Sequence, residues 1–552
     1  MHPKSIFLIA ISLLLTNTVA LTQTNAGNQL TKSQQWQLLD YKQDSVYGMS
    51  VNKAYNELLK GKQSHPVIVA VIDEGVDITH EDLQGHIWTN TKEIPGNQID
   101  DDHNGYTDDI HGWNFLGGKD GGMMYATSTE ADREYYRLAP KYNSVTDSSK
   151  VADKKEYTYF LRAKNEHIND SVERTESHYL KSYKHFVNKL QQFQALTGKK
   201  KVYYDDINFF QPKDSTSDTL KKYLLKFFII NPDKKTWDLD SMVNIPETLE
   251  TMHEIERQQA LFAALKPDPN ALRKEIVGDD PFNINDRNYG NNNIEDSAYG
   301  GHGTSCASII AAIRKNGIGM NGISGNVLIM PVRAVNTLHP GDEMDKDIAL
   351  AIRYAVDNGA KIVNMSFGKD FSPNKQWVDD AIKYAAQKNV LLVHASGNAG
   401  LNIDSMPVYP YPEFLNSGKA ENLITVGAST EDINDSLPGF FSNYGQKETD
   451  VFAPGMDIYE AEPNNKYDEG SGTSMAAPMV AGVAALILEY YPQLTAVQVK
   501  DIIIQSVTPL KGKMVYKPGT QEQVDFASLC ISGGVANAYN ALQIADKIAS
   551  KK

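Results

Sequence analysis

Cysteine is nearly absent, with two residues, Cys306 and Cys530, in a chain of 552. So few exclude a disulfide-stapled scaffold, and whether the two pair is not legible from sequence. An excess of base is also missing. Lysine and arginine number 54 against 69 acidic residues, a formal net charge of −15. That balance argues against a nucleic-acid partner or an anionic membrane surface, both of which favour basic proteins. Past the N-terminus there is no apolar run of the ~20 residues that a bilayer span needs. A zinc-peptidase pattern is lacking too. "HEIER" (253–257) has the first histidine and the glutamate, but not the second histidine. Internal repeats are not evident.

A hydrophobic content of 41%, with 39 Gly and 23 Pro, is that of an ordinary globular protein able to bury a large core. The N-terminus has His2 and Lys4 before an apolar run, Ile6 to Leu15, with small residues at Ala20 and Ala26. This is the layout of a signal peptide over residues 1–26, cleaved after about Ala20 or Ala26. It predicts an exported protein, periplasmic or extracellular, with no transmembrane segment in the mature chain. Residues 27–60 form an N-terminal segment.

Five short runs are almost wholly apolar: 66–73, 327–335, 361–367, 390–396 and 423–429. Continuous rather than alternating apolarity fits strands buried on both faces of a parallel sheet. Helical patterns lie between them, such as "KDIALAIRYAVDNG" (346–359), which ends in a glycine suited to a C-cap. Strand and helix in alternation predict an α/β fold with a doubly wound, mostly parallel sheet flanked by helices. Its site belongs beyond the carboxyl ends of the strands. The stretch 119–298 breaks the rhythm. It is rich in Lys, Glu, Asp, Tyr and Asn, with helical patterns at 178–198 and 245–265, and reads as a mainly helical insertion.

Three carboxyl-end positions carry reactive groups. Asp73 closes the first buried run, His302 follows two glycines at a helix start, and Ser474 opens the apolar helix "GTSMAAPMVAGVAALIL" (472–488). A serine hydroxyl attacks only when a base takes its proton. Histidine supplies that base, and a buried aspartate fixes its tautomer and stabilises the imidazolium. Unpaired N–H groups at a helix start help to hold an oxyanion.

Taken together, "VIDEGVDITHEDL", "HGTSCASIIAA" and "GTSMAAPMVAGVAAL" resemble the Asp, His and Ser motifs of the subtilisin-like serine peptidases, the subtilases, in that family's order. "VNMSFG", "ASGNAG", "FSNYG", "VFAPG" and "SGGVANAYNAL" add to the likeness, which covers roughly 61–118 and 299–545. The resemblance implies a serine endopeptidase working through Asp73, His302 and Ser474, with the Asn398 side-chain amide on the oxyanion. It further implies protein or peptide substrates held in extended form along Ser366, Phe367 and Gly368 and beside Ser396 and Gly397. Two other readings compete. A catalytically silent peptide-binding protein on the same fold fits the intact triad poorly. An α/β-hydrolase esterase needs a G-x-S-x-G elbow and the order Ser, Asp, His.

The chain departs from the family pattern in its middle. Asp73 and His302 stand 229 residues apart, where subtilases place them a few dozen apart. The insertion must loop out and return, either to border the substrate cleft and restrict access or to stand as a peripheral decoration. A long propeptide is also missing between the signal and the first strand. Cys306, four residues after His302, shares a helix face with it and resembles the thiol of the thiol-dependent subtilases. Ser305 is expected to cap or pack in the helix's first turn. In "IDDDHNGYTDDIHGW" (99–113), Asp100, Asp102 and Asn104 alternate before a glycine like the opening of a calcium loop. The closing EF-hand glutamate is absent, so Asp108 or Asp109 would complete a looser structural calcium site.

Overall fold

The protein is described by a computed structural model over residues 30–167, 171–230, 235–240, 268–295, 301–337 and 341–550. The signal-peptide reading and the helical pattern at 245–265 lie outside these residues. The apolar runs become strands within a residue or two of their expected ends. β1 (Val67–Asp73) and the short β2 (Trp113–Asn114) precede β3 (Val327–Arg333), β4 (Ile362–Met365), β5 (Leu391–Ala395), β6 (Leu423–Ser429) and β7 (Val451–Pro454). Two hairpins follow: β8 (Ile458–Glu462) with β9 (Lys466–Gly470), and β11 (Met514–Tyr516) with β12 (Gln523–Asp525). β10 (Thr508–Pro509) and β13 (Gly534–Val535) join the main sheet. Its nine strands lie in the order β10-β13-β7-β6-β5-β4-β1-β3-β2, all parallel except β10, which runs antiparallel to β13.

The order reverses at β1, which pairs with both β3 and β4. That switch point opens a crevice at the carboxyl ends of β1 and β4. Helices cover both faces. Before β3 come α1 (Glu130–Tyr142), α2 (Lys154–Glu166), α3 (Ser171–Thr197) and α4 (Ser215–Ile230). In the sheet region come α5 (His302–Ala311), α6 (Asp345–Asp357), α7 (Lys375–Gln387), α8 (Thr473–Tyr490), α9 (Ala496–Gln505) and α10 (Ala538–Ala549).

The two-residue period of a strand assigns the faces. Val69 and Val71 of β1 pack with Ile310 of α5 and Val480 of α8, whereas Ala70 and Ile72 pack with Ile352 of α6 and Ile382 of α7. Each aliphatic side chain so buried contributes about 1.5–3 kcal/mol. This two-sided burial is why the strands read as unbroken apolar runs. α8 alone among the described helices is long and apolar enough to cross a bilayer, and nearly all of it is core.

The described residues form two compact units, one within 165–240, the other within 30–164 and 268–550. The first has its own core, with Phe186 and Phe193 of α3 against Leu224 and Phe227 of α4. The unit that carries the sheet therefore also takes in 119–164 and 268–298, both ends of the stretch read from sequence as insertion.

Candidate active site

Asp73 is the last residue of β1, and its side chain is buried. Its Oδ1 lies 2.8 Å from Nδ1 of His302 and also accepts from the Glu74 N–H at 2.9 Å. Oδ2 is buried with no donor among the described residues. The Asp73 bond orients the imidazole so that Nε2 is left for a substrate-side partner. Close approach of α5 to the Asp73 loop requires glycine at 303, where a Cβ would lie 1.9 Å from the Gly75 carbonyl oxygen.

The N-terminus of α5 is capped from outside the helix. The Glu74 carboxylate accepts from the N–H groups of Gly301 and His302, both at 2.9 Å. Ser305 packs instead: its Oγ donates to the Ala461 carbonyl and to Glu462 Oε1, each at 3.2 Å. Burial alone would lower the His302 pKa, but the facing charges of Asp73, Glu74 and Glu460 outweigh it and raise the value above the usual 6.5. They favour the imidazolium that forms when a nucleophile gives up its proton. Glu460, on β8, is buried with Oε2 unpartnered among the described residues, and burial pushes its carboxyl up to about 8. No periodicity or motif pointed to Glu74 or Glu460.

Ser474 is the second residue of α8, with its Oγ donating to the Ser366 carbonyl at 3.0 Å. Its own carbonyl accepts from Ser366 Oγ at 2.8 Å and from Cys306 Sγ at 3.5 Å. Cys306, Asp73 and His302 each offer a ligand atom within 4.8 Å of the others. The thiol thus lies between the histidine and the backbone of the serine. Burial raises its pKa well above the ordinary thiol value, so it stays protonated and is no rival nucleophile. Cys306 and Cys530 are both buried and free, and they do not pair.

Asn398 is held by its carbonyl end. Oδ1 accepts from both the N–H and the hydroxyl of Thr473, each at 2.8 Å, leaving the amide nitrogen as the available donor. Around it, Gly397 N–H donates to Thr473 Oγ1 at 3.1 Å, and Ser396 O accepts from Asn443 Nδ2 at 2.8 Å. Asn443 Oδ1 accepts in turn from Ala399 N–H and Leu401 N–H. Asn443, seen in sequence only as part of "FSNYG", is the hub of this loop. Ser366, Phe367 and Gly368 leave β4 beside it, and His394 Nε2 donates to the Phe367 carbonyl at 2.8 Å. Burial depresses the His394 pKa to about 4, so it serves as a neutral strut.

The acidic loop divides in two. Glu93, Asp100 and Asp102 each offer an oxygen within 4.8 Å of the others, and Glu93 was not among the residues singled out from sequence. Its oxygens accept from Asp102 N–H and Asp108 N–H at 3.0 and 3.2 Å. Asp108 is occupied by the N–H groups of Gly96 and Gln98. Asp109 lies beneath, taking Asn90 Nδ2, Asn104 Nδ2 and the Tyr354 hydroxyl, with its carboxyl pushed up to about 6 by burial.

A carboxylate-oriented imidazole, a hydroxyl at a helix start and a fixed amide donor are the parts of a serine hydrolase. The profile of the Subtilase family (peptidase S8) matches residues 64–519. The chain belongs to the subtilase family. It is 39% identical over 225 residues to the cell wall-associated protease of Bacillus subtilis (strain 168), a match covering 41% of this chain and 23% of that protein. Against Subtilisin DY of Bacillus licheniformis it is 36% identical over 221 residues, covering 40% and 74%. Against thermitase of Thermoactinomyces vulgaris it is 36% identical over 216 residues, covering 39% and 68%.

Proposed function

We propose that the chain is an exported endopeptidase that cleaves peptide bonds through Asp73, His302 and Ser474. Ser474 Oγ attacks the scissile carbonyl while His302 takes its proton. The oxyanion is held by the Asn398 amide and the N–H groups at the start of α8. The C–N bond then breaks as His302 protonates the leaving amine, and water repeats the sequence on the acyl-enzyme. The substrate lies extended along Ser366, Phe367 and Gly368, adding a strand by backbone hydrogen bonds. The observation that carries this reading is the lock of Thr473 on the Asn398 carbonyl oxygen. It aims the amide nitrogen at the turn that bears the nucleophile.

A fluorophosphonate probe tests it: the chain labels at Ser474, and Ser474→Ala abolishes labelling. Asn398→Ala lowers turnover by about 10²–10³, the magnitude known for subtilisin's own side-chain donor. A folded chain that stays unlabelled is instead the silent peptide-binding protein. Near the cleft, Lys369 follows Gly368 directly, and its Nζ binds Glu130 Oε2 of α1 at 2.8 Å. This supports the reading that the start of the inserted stretch borders the substrate. If deleting 125–285 leaves substrate selection unchanged, that part is wrong.

A structural calcium ion fits the acidic loop. The donor set is carboxylate oxygen, as the ion prefers, and three such groups of like charge converge. Glu93, Asp100 and Asp102 would hold it, with Asn104, Asp108 and Asp109 shaping the loop behind them. Calcium would offset their mutual repulsion. Calorimetry is expected to show binding that Asp100→Ala removes, and chelator should lower the thermal midpoint of the wild type alone.

A further inference from the structure

A pocket of about 550 Å³ opens among Pro438, Phe440, Met456, Tyr516, Lys517 and Pro518, with mostly apolar walls. None of these residues takes part in the triad, the oxyanion site or the substrate strand. The sheet fixes where the pocket lies. Along its carboxyl edge the strands run β7, β6, β5, β4, β1. Ser366 follows β4 and Asn398 follows β5, while Thr430 and Met456, which line the pocket, follow β6 and β7. The pocket is therefore beyond Asn398, on the side away from Ser366.

Two short links tie it to the reacting centre. Gly455, next to Met456, accepts from the N–H of Gly472, two residues before Ser474, at 2.7 Å. Gly400, two residues after Asn398, donates to the Phe441 carbonyl at 2.7 Å, and Gly519 donates to the Phe440 carbonyl at 2.8 Å. Gly400 and Gly519 meet back to back, with φ of +65° and +72°, and a Cβ on Gly519 would lie 2.8 Å from Gly400 O. The 517–522 loop, between β11 and β12, thus closes directly on the oxyanion loop. At the rim, Phe440 meets the Phe441 ring edge-on at 5.4 Å, yet it stays 70% exposed, an aromatic face open to a ligand. Lys517, the pocket's cation, is paired with Glu522 at 2.5 Å.

We infer that this pocket receives a bulky apolar or aromatic side chain of the substrate, one or two residues beyond the cleaved bond on the leaving-group side. The inference rests on the peptidase reading. With the acyl part along 366–368, an extended chain that passes Ser474 and Asn398 continues toward β6 and β7. It advances about 3.3 Å per residue, so a wall whose neighbours Gly455 and Phe441 bond Gly472 and Gly400, two residues from Ser474 and Asn398 respectively, is within reach of the first residues past the bond. The volume falls in the range of about 300–1,000 Å³ that encloses small organic groups.

The experiment uses the full chain and two substrate sets with one common acyl part. One set ends in an anilide and has nothing beyond the bond. The other carries Gly, Leu or Phe at the first and second positions downstream. Wild type is expected to favour Phe or Leu over Gly at one position by roughly tenfold, the scale of burying one such side chain. Phe440→Ala should erase most of that ratio and leave anilide turnover within about twofold, since the anilide never reaches the pocket. Tyr516→Ala, which removes another wall of the pocket, should do the same. A wild type that labels at Ser474 but shows no downstream preference overturns the pocket, as does a preference that Phe440→Ala leaves intact. A wild type that neither labels nor cleaves the anilide overturns the peptidase reading and the pocket with it.

Discussion

The centre of the sheet and the seams where the inserted stretch meets it are held by opposite means. In β5 and β6, Leu391, Val393, Ile424 and Val426 are fully buried within the apolar core. At one seam, Arg273 is just as buried, yet it reaches Asp279 Oδ1 at 2.7 Å and Asp347 Oδ2 at 2.6 Å. Lys346 joins Asp279 at 2.6 Å, and the Tyr289 hydroxyl donates to Asp347 at 2.6 Å. A second seam brings Lys369 to Glu130 at 2.8 Å and Asp345 at 2.9 Å, with Arg133 against Glu130 at 2.9 Å. The contrast teaches how an addition is attached to a finished core. Apolar packing degrades in proportion to the atoms removed. A buried ion network fails when one partner goes, because the rest are left charged and dry.

The largest expected effect follows at the first seam. Asp347→Ala should cost about 3–5 kcal/mol, against about 0.5–1.5 kcal/mol for Ile424→Val in the sheet. Denaturant midpoints of the two variants decide the matter. A loss at Asp347 no greater than at Ile424 would mean that solvent reaches the seam and that the contrast is false.

The second seam adds a pH dependence that the sheet lacks. Glu343 Oε1 is buried without a partner among the described residues, and burial pushes the carboxyl up to about 8 despite Lys369 nearby. Its contribution to stability is fully present below the unfolded value of 4.5 and is lost as pH rises through about 8. Glu130 behaves oppositely. Burial would raise its carboxyl, but Arg133 and Lys369 overcome that and hold it near 2, so its contribution exists above 4.5 and is lost as pH falls toward 2. Glu343→Gln should therefore match wild type at pH 4.5 and exceed it by at least about 1 kcal/mol at pH 8.5. Parallel stability curves for the two proteins would remove Glu343 from the account.

The same contrast explains what the sequence made legible. β1 and β3 to β6, α6, and the placing of Asp73, His302, Ser474 and Asn398 followed from unbroken apolar runs, from the Asp, His and Ser motifs and from "ASGNAG". Such signals are local, since a strand buried on both faces writes its environment into consecutive residues. Glu74, Glu93, Glu460, His394 and Asn443 gave no such signal. Most of them act on a partner far along the chain, as Glu74 does on the His302 helix 228 residues away. Asp108 and Asp109 show a related limit: residues adjacent in sequence turn to different partners, backbone N–H groups for one and a buried tyrosine for the other. The seams were invisible because a buried arginine or glutamate looks in sequence like a solvated one.

Local hydrogen bonds should be indifferent to this division, and that yields the smallest effect. Thr129 caps α1 at the second seam, where its Oγ1 accepts from the Asp132 N–H at 3.1 Å. Thr495 caps α9 on the sheet side, where its Oγ1 accepts from the Gln498 N–H at 3.2 Å. Each threonine satisfies one of the donors that every helix start leaves open, and each is worth about 1 kcal/mol. Thr129→Ala and Thr495→Ala should lower the midpoint equally, and the double variant should show their sum. A markedly larger loss at Thr129 would mean that the cap and the ion network behind it act as one unit. The seam would then begin at the cap residue Thr129 rather than at Glu130.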